Sequence, residues 1–126
     1  MAKILLCEDD VVLSDMYVKK FQLAGLNVTA AIDGEQGLEE MRKSKPDIVL
    51  LDIMMPKKNG LDTLKEIKED PELKDCYVVL LSNVGEQSYI DEGFSLGANQ
   101  YLMKSNFTPG EVLEKVKGWL AEIGKA

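Results

Sequence analysis

The sequence contains no histidine. That absence removes three kinds of chemistry from this chain: nucleophiles activated by a histidine base, histidine–metal sites and phosphohistidine intermediates. Cysteine is nearly as scarce. Cys7 and Cys76 stand far apart with no Cys-x-x-Cys, so neither a zinc site nor a disulfide framework is expected, and two buried thiols in a reducing cytoplasm is the simpler reading. No apolar run approaches the roughly 18 to 20 residues of a membrane span. The opening MAKILLCEDD ends its short apolar run in acids, unlike a signal or transit peptide. Positive charge is in deficit as well, with 15 Lys and Arg against 22 Asp and Glu and a net charge of −7. Without a basic patch, direct binding to nucleic acid or to an anionic membrane is not expected.

What is present has the size of one domain, 126 residues with 45% apolar and 29% charged, and is read as a single unit over 1–126. Five β-branched apolar runs recur at Lys3–Cys7, Asn27–Ala31, Asp47–Leu51, Tyr77–Leu81 and Gln100–Met103. Runs such as IVLL and VVLL are apolar at every position, which suits parallel strands covered on both faces. Helical segments are expected between them, at 11–24 and near 35–43, 60–69 and 87–96. The first puts Leu13, Met16, Tyr17, Phe21 and Ala24 on one face, with Asp10 as its cap and Gly25 as its stop. A last helix has Val112, Leu113, Val116, Trp119, Leu120 and Ile123 on one stripe. Thr108, Pro109 and Glu111 spell a capped start for it. Five β-α units imply an α/β fold with a parallel sheet and helices on both faces.

Ligands in such sheets bind beyond the carboxyl ends of the strands. There the sequence places Glu8, Asp9 and Asp10, then Asp52, then Ser82 and Asn83, then Lys104. Carboxylates crowded together repel, so they require a cation or one of them must take a proton. All-oxygen donors suit Mg2+. A carboxylate beside such an ion can attack phosphorus and form an acyl phosphate. Charge on the transferring group can be met by the metal, a lysine and backbone N–H groups.

Taken in order, LLCEDD, VLLDIMMPKKNG, VVLLSN and YLMK resemble the receiver domains of two-component response regulators, of the single-domain, chemotaxis-regulator-like kind, over nearly the whole chain. The resemblance implies a flavodoxin-like, doubly wound sheet of order 2-1-3-4-5. It implies Asp52 as phosphoacceptor and metal ligand, Asp9 as a direct Mg2+ ligand, Glu8 as a ligand through water and Met54 through its backbone carbonyl. Pro56 and Gly60 match the turn after the acceptor, and the Lys57–Lys58 pair reads as a solvated loop. Ser82 is implied as switch hydroxyl, Tyr101 as switch aromatic and Lys104 as the lysine that contacts the phosphoryl group. The donor implied is a histidine kinase or phosphotransfer protein. The reader implied is a target protein on the face of the fourth helix, fifth strand and fifth helix. Such a cytoplasmic switch is not expected to be an enzyme beyond self-phosphorylation and slow self-dephosphorylation.

Three positions depart from the family pattern. Ser105 stands where proline after a cis bond is common, so that loop is expected to differ or to store strain. Asn83 replaces a smaller residue and is expected to crowd the phosphoryl pocket or to donate an extra hydrogen bond. Met54 and Val84 are apolar where fast self-dephosphorylating members carry polar groups, which points to a long-lived phosphoryl group. The alternatives are a non-phosphorylated receiver-like scaffold and, with less support, an aspartate-nucleophile phosphatase. The latter usually has Asp-x-Asp, and here the second acid is replaced by Met54. A flavodoxin-like cofactor binder is disfavoured, because Glu8-Asp9-Asp10 would repel an anionic group. The chain has no room for an output domain, so it either signals by surface contact or is a piece of a longer protein.

Overall fold

In the computed structural model, residues 2–83 and 85–125 are described. Strands β1 (Lys3–Cys7), β2 (Asn27–Ala31), β3 (Ile48–Leu51), β4 (Tyr77–Ser82) and β5 (Gln100–Met103) alternate with helices α1 (Val11–Leu23), α2 (Gly34–Lys43), α3 (Gly60–Glu69), α4 (Gln87–Ser95) and α5 (Pro109–Glu122). The five strands form one parallel sheet in the order β2-β1-β3-β4-β5. The sequence-read strands match within one residue at either end.

Strand alternation sorts the apolar residues into two cores. Leu5, Cys7, Val49, Leu51, Val78 and Leu80 face Leu38 and Met41 of α2 and Leu61, Leu64 and Ile67 of α3. Ile4, Leu6, Ile48, Leu50, Val79 and Leu81 face Tyr17 and Phe21 of α1 and Val112, Leu113, Val116 and Leu120 of α5. Successive side chains of a strand point to opposite faces, and here both faces are covered. That is why the central strands carry no polar residue until they reach the sheet edge. Both thiols are free and buried, and burial, with the nearby Asp33 charge, pushes Cys7 up to about 12.

The caps follow the residue types. Asp10 accepts from the Leu13 N–H at 3.1 Å at the start of α1. Gly25, at φ 85°, ends that helix in the left-handed region, with its N–H on the Gln22 carbonyl and that of Leu26 on Phe21. The Thr108–Glu111 capping box is formed. One expectation for α1 does not hold: Met16 is 51% exposed. Tyr17 and Phe21 set the centre of the buried stripe, and a residue one position back lies about 100° round the helix, beyond the reach of the sheet.

Gly118 sits exposed inside α5, and a Cβ there meets nothing within 4 Å. Gly118→Ala is therefore expected to stabilise the fold by about 0.5–1 kcal/mol, raising the melting temperature by roughly 3 °C. A calorimetric scan showing no rise would contradict this.

Candidate metal and phosphoryl site

The register brings the sequence-read site residues to one end of the sheet. Cys7 pairs with Leu51, so Glu8 and Asp52 leave β1 and β3 side by side. The Asp52 N–H closes the ladder on the Cys7 carbonyl at 3.1 Å. Leu51 pairs with Leu80 on β4, and Ser82 ends that strand opposite Met103, the residue before Lys104. Glu8, Asp52 and Ser82 are buried, at 3%, 5% and 1% exposure, while Asp9 is exposed.

Lys104 joins the strand ends. Its Nζ donates to Glu8 Oε1 at 2.5 Å and to Asp52 Oδ2 at 2.8 Å. Asp52 Oδ1 accepts from the Met54 N–H at 3.2 Å, and Glu8 Oε2 from the Asp10 N–H at 3.1 Å. Burial works against the Lys104 ammonium, but the hydrogen bonds it donates to Asp52 and Glu8 outweigh it and hold its pKa above the ordinary lysine value. Glu8 moves the other way from a typical ion pair. Burial, helped by the charge of Asp52, holds its carboxyl above the usual range despite the bonds from Lys104 and the Asp10 N–H. One ammonium is thus shared between two buried carboxylates and leaves the site short of positive charge.

Glu8, Asp9 and Asp52 each offer a carboxylate oxygen within 4.8 Å of the others. Three hard oxygen donors at that spacing, with incomplete charge compensation, fit a divalent cation of the Mg2+ type. Glu8→Gln tests the compensation. A group whose folded pKa is raised stabilises fully below its unfolded value and loses that stability as pH rises through the folded value. In EDTA, the Gln variant is therefore expected to gain stability relative to the wild type as pH climbs above the ordinary glutamate value. Saturating Mg2+ should close the gap. Denaturant titrations showing a gap independent of pH and metal would contradict the argument.

The turn after Asp52 depends on close backbone approach. Gly60 donates to the Ile53 carbonyl at 2.8 Å, and a Cβ on it would lie 2.2 Å from the Asp52 carbonyl oxygen. Any side chain there would push the acid out of place. The Met54 side chain is 63% exposed. Lys57 is an exposed loop residue at φ 63°, whereas Lys58, read as solvated, is paired with Glu66 of α3.

Tyr101 is half-buried, against the core beneath α3 and α4. Burial and the charge of Asp52 raise its pKa, against a side-chain hydrogen bond with Ser82. The two residues read as the switch pair are thus in contact. The loop after β5 is a 3-10 turn, Lys104–Asn106, and no cis peptide occurs among the described residues. Among the described residues, the side-chain hydrogen bond of Asn83 is one it accepts. Its Oδ1 accepts from the Ser105 N–H at 3.0 Å, a bond that depends on Ser105 having an N–H. Val84 lies outside the described residues. Tyr17, assigned to the core, is buried there, and burial is the main cause that raises its pKa.

The family model for the response regulator receiver domain matches residues 4–117. This chain belongs to that family. Its members act in general as phosphoryl-accepting switches that interact with histidine kinases and downstream effectors. The transcriptional regulatory protein CpxR of Klebsiella pneumoniae is 39% identical over 120 residues, covering 95% of this chain and 50% of that protein. The chain spans about half the length of the curated relatives it matches. Among solved structures, the phosphorylated cyanobacterial phytochrome response regulator RcpA superimposes with a TM-score of 0.82 at 31% identity, covering 94% of this chain and 91% of that one. The Mn2+-bound form of response regulator Rcp1 superimposes with a TM-score of 0.81 at 26% identity, covering 96% and 93%. No helix among the described residues is long and apolar enough to cross a membrane.

Proposed function

We propose that this receiver domain takes a phosphoryl group onto Asp52 in a Mg2+-dependent reaction, and that residues 1–126 work as one switching unit. The observation that carries the reading is the Lys104 ammonium set between Glu8 and Asp52, with Asp9 completing a triad of oxygen donors. An Asp52 carboxylate oxygen attacks phosphorus. The bond from phosphorus to the donor's histidine nitrogen, or to acetate in acetyl phosphate, breaks, and the leaving group keeps the electron pair. Glu8, Asp9, Asp52 and the Met54 carbonyl are the residues that would hold Mg2+, and an ion held there would neutralise charge on the phosphoryl oxygens. Lys104 exchanges its bond to Asp52 for one to a phosphoryl oxygen. The Ser82 hydroxyl donates to another, which releases its contact with Tyr101.

Phosphorylation adds about −1.5 to −2 charge at this sheet edge. The paired movement of Ser82 and Tyr101 carries that change to α4, β5 and α5, where Tyr89 and Phe94 on α4 are exposed apolar groups available to a target. The phosphoryl donor is a histidine kinase or phosphotransfer protein in the cytoplasm. The net charge of −7 favours a protein target over direct contact with nucleic acid. The Mn2+-bound and phosphorylated relatives support both the metal and the modification.

The test is intact mass after incubation with acetyl phosphate, with Mg2+ and with EDTA, followed by borohydride trapping to mark the acylated residue. One phosphoryl group, formed only with the metal and trapped at Asp52, is the expected result. No mass gain would leave a scaffold, and repeated turnover of phosphate esters a phosphatase. The modification should also persist for minutes or longer, because the Met54 side chain offers no group to orient an attacking water. Loss within seconds in Mg2+ would contradict that lifetime.

A further inference from the structure

The lysine that bridges the acids stands at the end of β5, where the ladder stops: Ser82 with Met103 is the last β4–β5 pair. Beyond it the backbone enters the Lys104–Asn106 turn. The turn's closing bond, from the Phe107 N–H to the Lys104 carbonyl, is long at 3.4 Å. A shorter bond arrives from the neighbouring strand end, where Asn83 Oδ1 accepts from the Ser105 N–H at 3.0 Å. Asn83 follows Ser82 directly and Ser105 follows Lys104 directly, so this bond fastens the two loops one residue past each of those groups. A lysine side chain has several rotatable bonds and loses much rotamer freedom when held in one place. Its ammonium can stay between two carboxylates only if its own backbone is anchored.

From this geometry we infer that Asn83 is a positioning residue for Lys104. Its side-chain carbonyl anchors the turn through the Ser105 N–H and keeps the ammonium registered between Glu8 and Asp52. The role of Lys104 in transfer rests on the function proposed above; the anchoring itself does not. Asn83 touches neither acid in the described contacts, so it sets the rate of transfer and leaves the metal ligands unchanged. Its partner is a backbone N–H, which proline at 105 would not possess.

Three measurements on Asn83→Ala, Asn83→Asp, Ser105→Pro and the Ala–Pro double variant test this. The first is read in the unphosphorylated, metal-free protein. In Asn83→Ala the Ser105 amide should exchange faster with solvent, and the Lys104 ammonium signal in nitrogen–proton spectra should broaden. Asn83→Asp, which keeps an acceptor oxygen, should restore both. The second is the rate of modification by saturating acetyl phosphate, expected to fall about three- to tenfold in Asn83→Ala, the equivalent of one hydrogen bond, with Mg2+ affinity by calorimetric titration unchanged. The third is the double variant, in which the alanine should cost nothing further once proline has removed the donor.

An unchanged rate, an unchanged Lys104 signal, or fully additive losses would each overturn the inference, and the first two are legible even where Ser105→Pro alone folds poorly, because Asn83→Ala and Asn83→Asp carry those measurements. If the wild type accepts no phosphoryl group, the functional reading fails, and the spectra of the resting protein still decide whether Asn83 holds Lys104.

Discussion

Asparagine at position 52 is expected to abolish the proposed phosphoryl mass gain while leaving a folded protein; both halves follow from what the side chain touches. The amide has the shape of the carboxylate but lacks the anionic oxygen that would attack phosphorus. Its carbonyl can keep the bond that Asp52 Oδ1 accepts from the Met54 N–H. The NH2 group then faces the Lys104 ammonium where Asp52 Oδ2 stood, donor against donor, so the lysine is left with Glu8 as its carboxylate partner. One buried negative charge is removed from a site that holds more acid than Lys104 can compensate. In EDTA at neutral pH, Asp52→Asn is therefore expected to be no less stable than the wild type, within about 1 kcal/mol, and to gain less stability from Mg2+. Mass spectrometry that finds the phosphoryl group on the asparagine variant would end the assignment of Asp52. A variant that fails to fold would refute the account of its hydrogen bonds.

The strands were legible because their burial is two-sided. A residue such as Leu50 or Val79 has no polar neighbour in its run, and only a sheet covered on both faces uses such runs. Asp52 and Ser82 stood out because each breaks an apolar run where the strand leaves its cover. The capped helix starts at Asp10 and Thr108 were equally local, since a cap is satisfied within three residues. Met16 was misplaced because periodicity gives the direction of a helix face but not the width that the sheet will cover. Ser82, Tyr101 and Lys104 took their roles from the family pattern rather than from any local rule.

The contacts that assemble the site were not legible as contacts. Lys104 reaches Glu8 across 96 positions and Asp52 across 52, and no local rule states that one ammonium will be divided between two acids. Asn83 was read as a group that would crowd the pocket or donate. Its side-chain oxygen also accepts, a contact the sequence did not suggest, and that partner became visible only with the conformation of the backbone at Ser105.

Lys104→Met is expected to produce the largest combined loss, and its dependence on metal separates electrostatics from packing. Methionine keeps the apolar stem and removes the charge. Glu8 and Asp52 then lie buried near each other with no ammonium between them, and breaking a buried ion pair on one side costs about 3–5 kcal/mol. The sign of the pH dependence is fixed by the same geometry. Glu8 is already held above the usual carboxylate range by burial, and losing the hydrogen bond that lowers it moves it further up. The stability lost at neutral pH should therefore return as pH falls and the carboxyl takes a proton. Mg2+ should return it without acidification, since the ion supplies the missing charge to the same oxygens. Phosphorylation would not recover in parallel. In the function proposed above, the lysine's remaining task would be to meet charge on the transferring group, and removing a preorganised donor of that kind costs on the order of a hundredfold in rate. In Mg2+ the variant should be nearly as stable as the wild type yet slower with acetyl phosphate by about that factor. Lys104→Arg, which retains the charge on a differently shaped head, should keep the stability and regain only part of the rate. A methionine variant that phosphorylates at the wild-type rate in Mg2+ would show that Lys104 balances charge in the resting protein and takes no part in transfer.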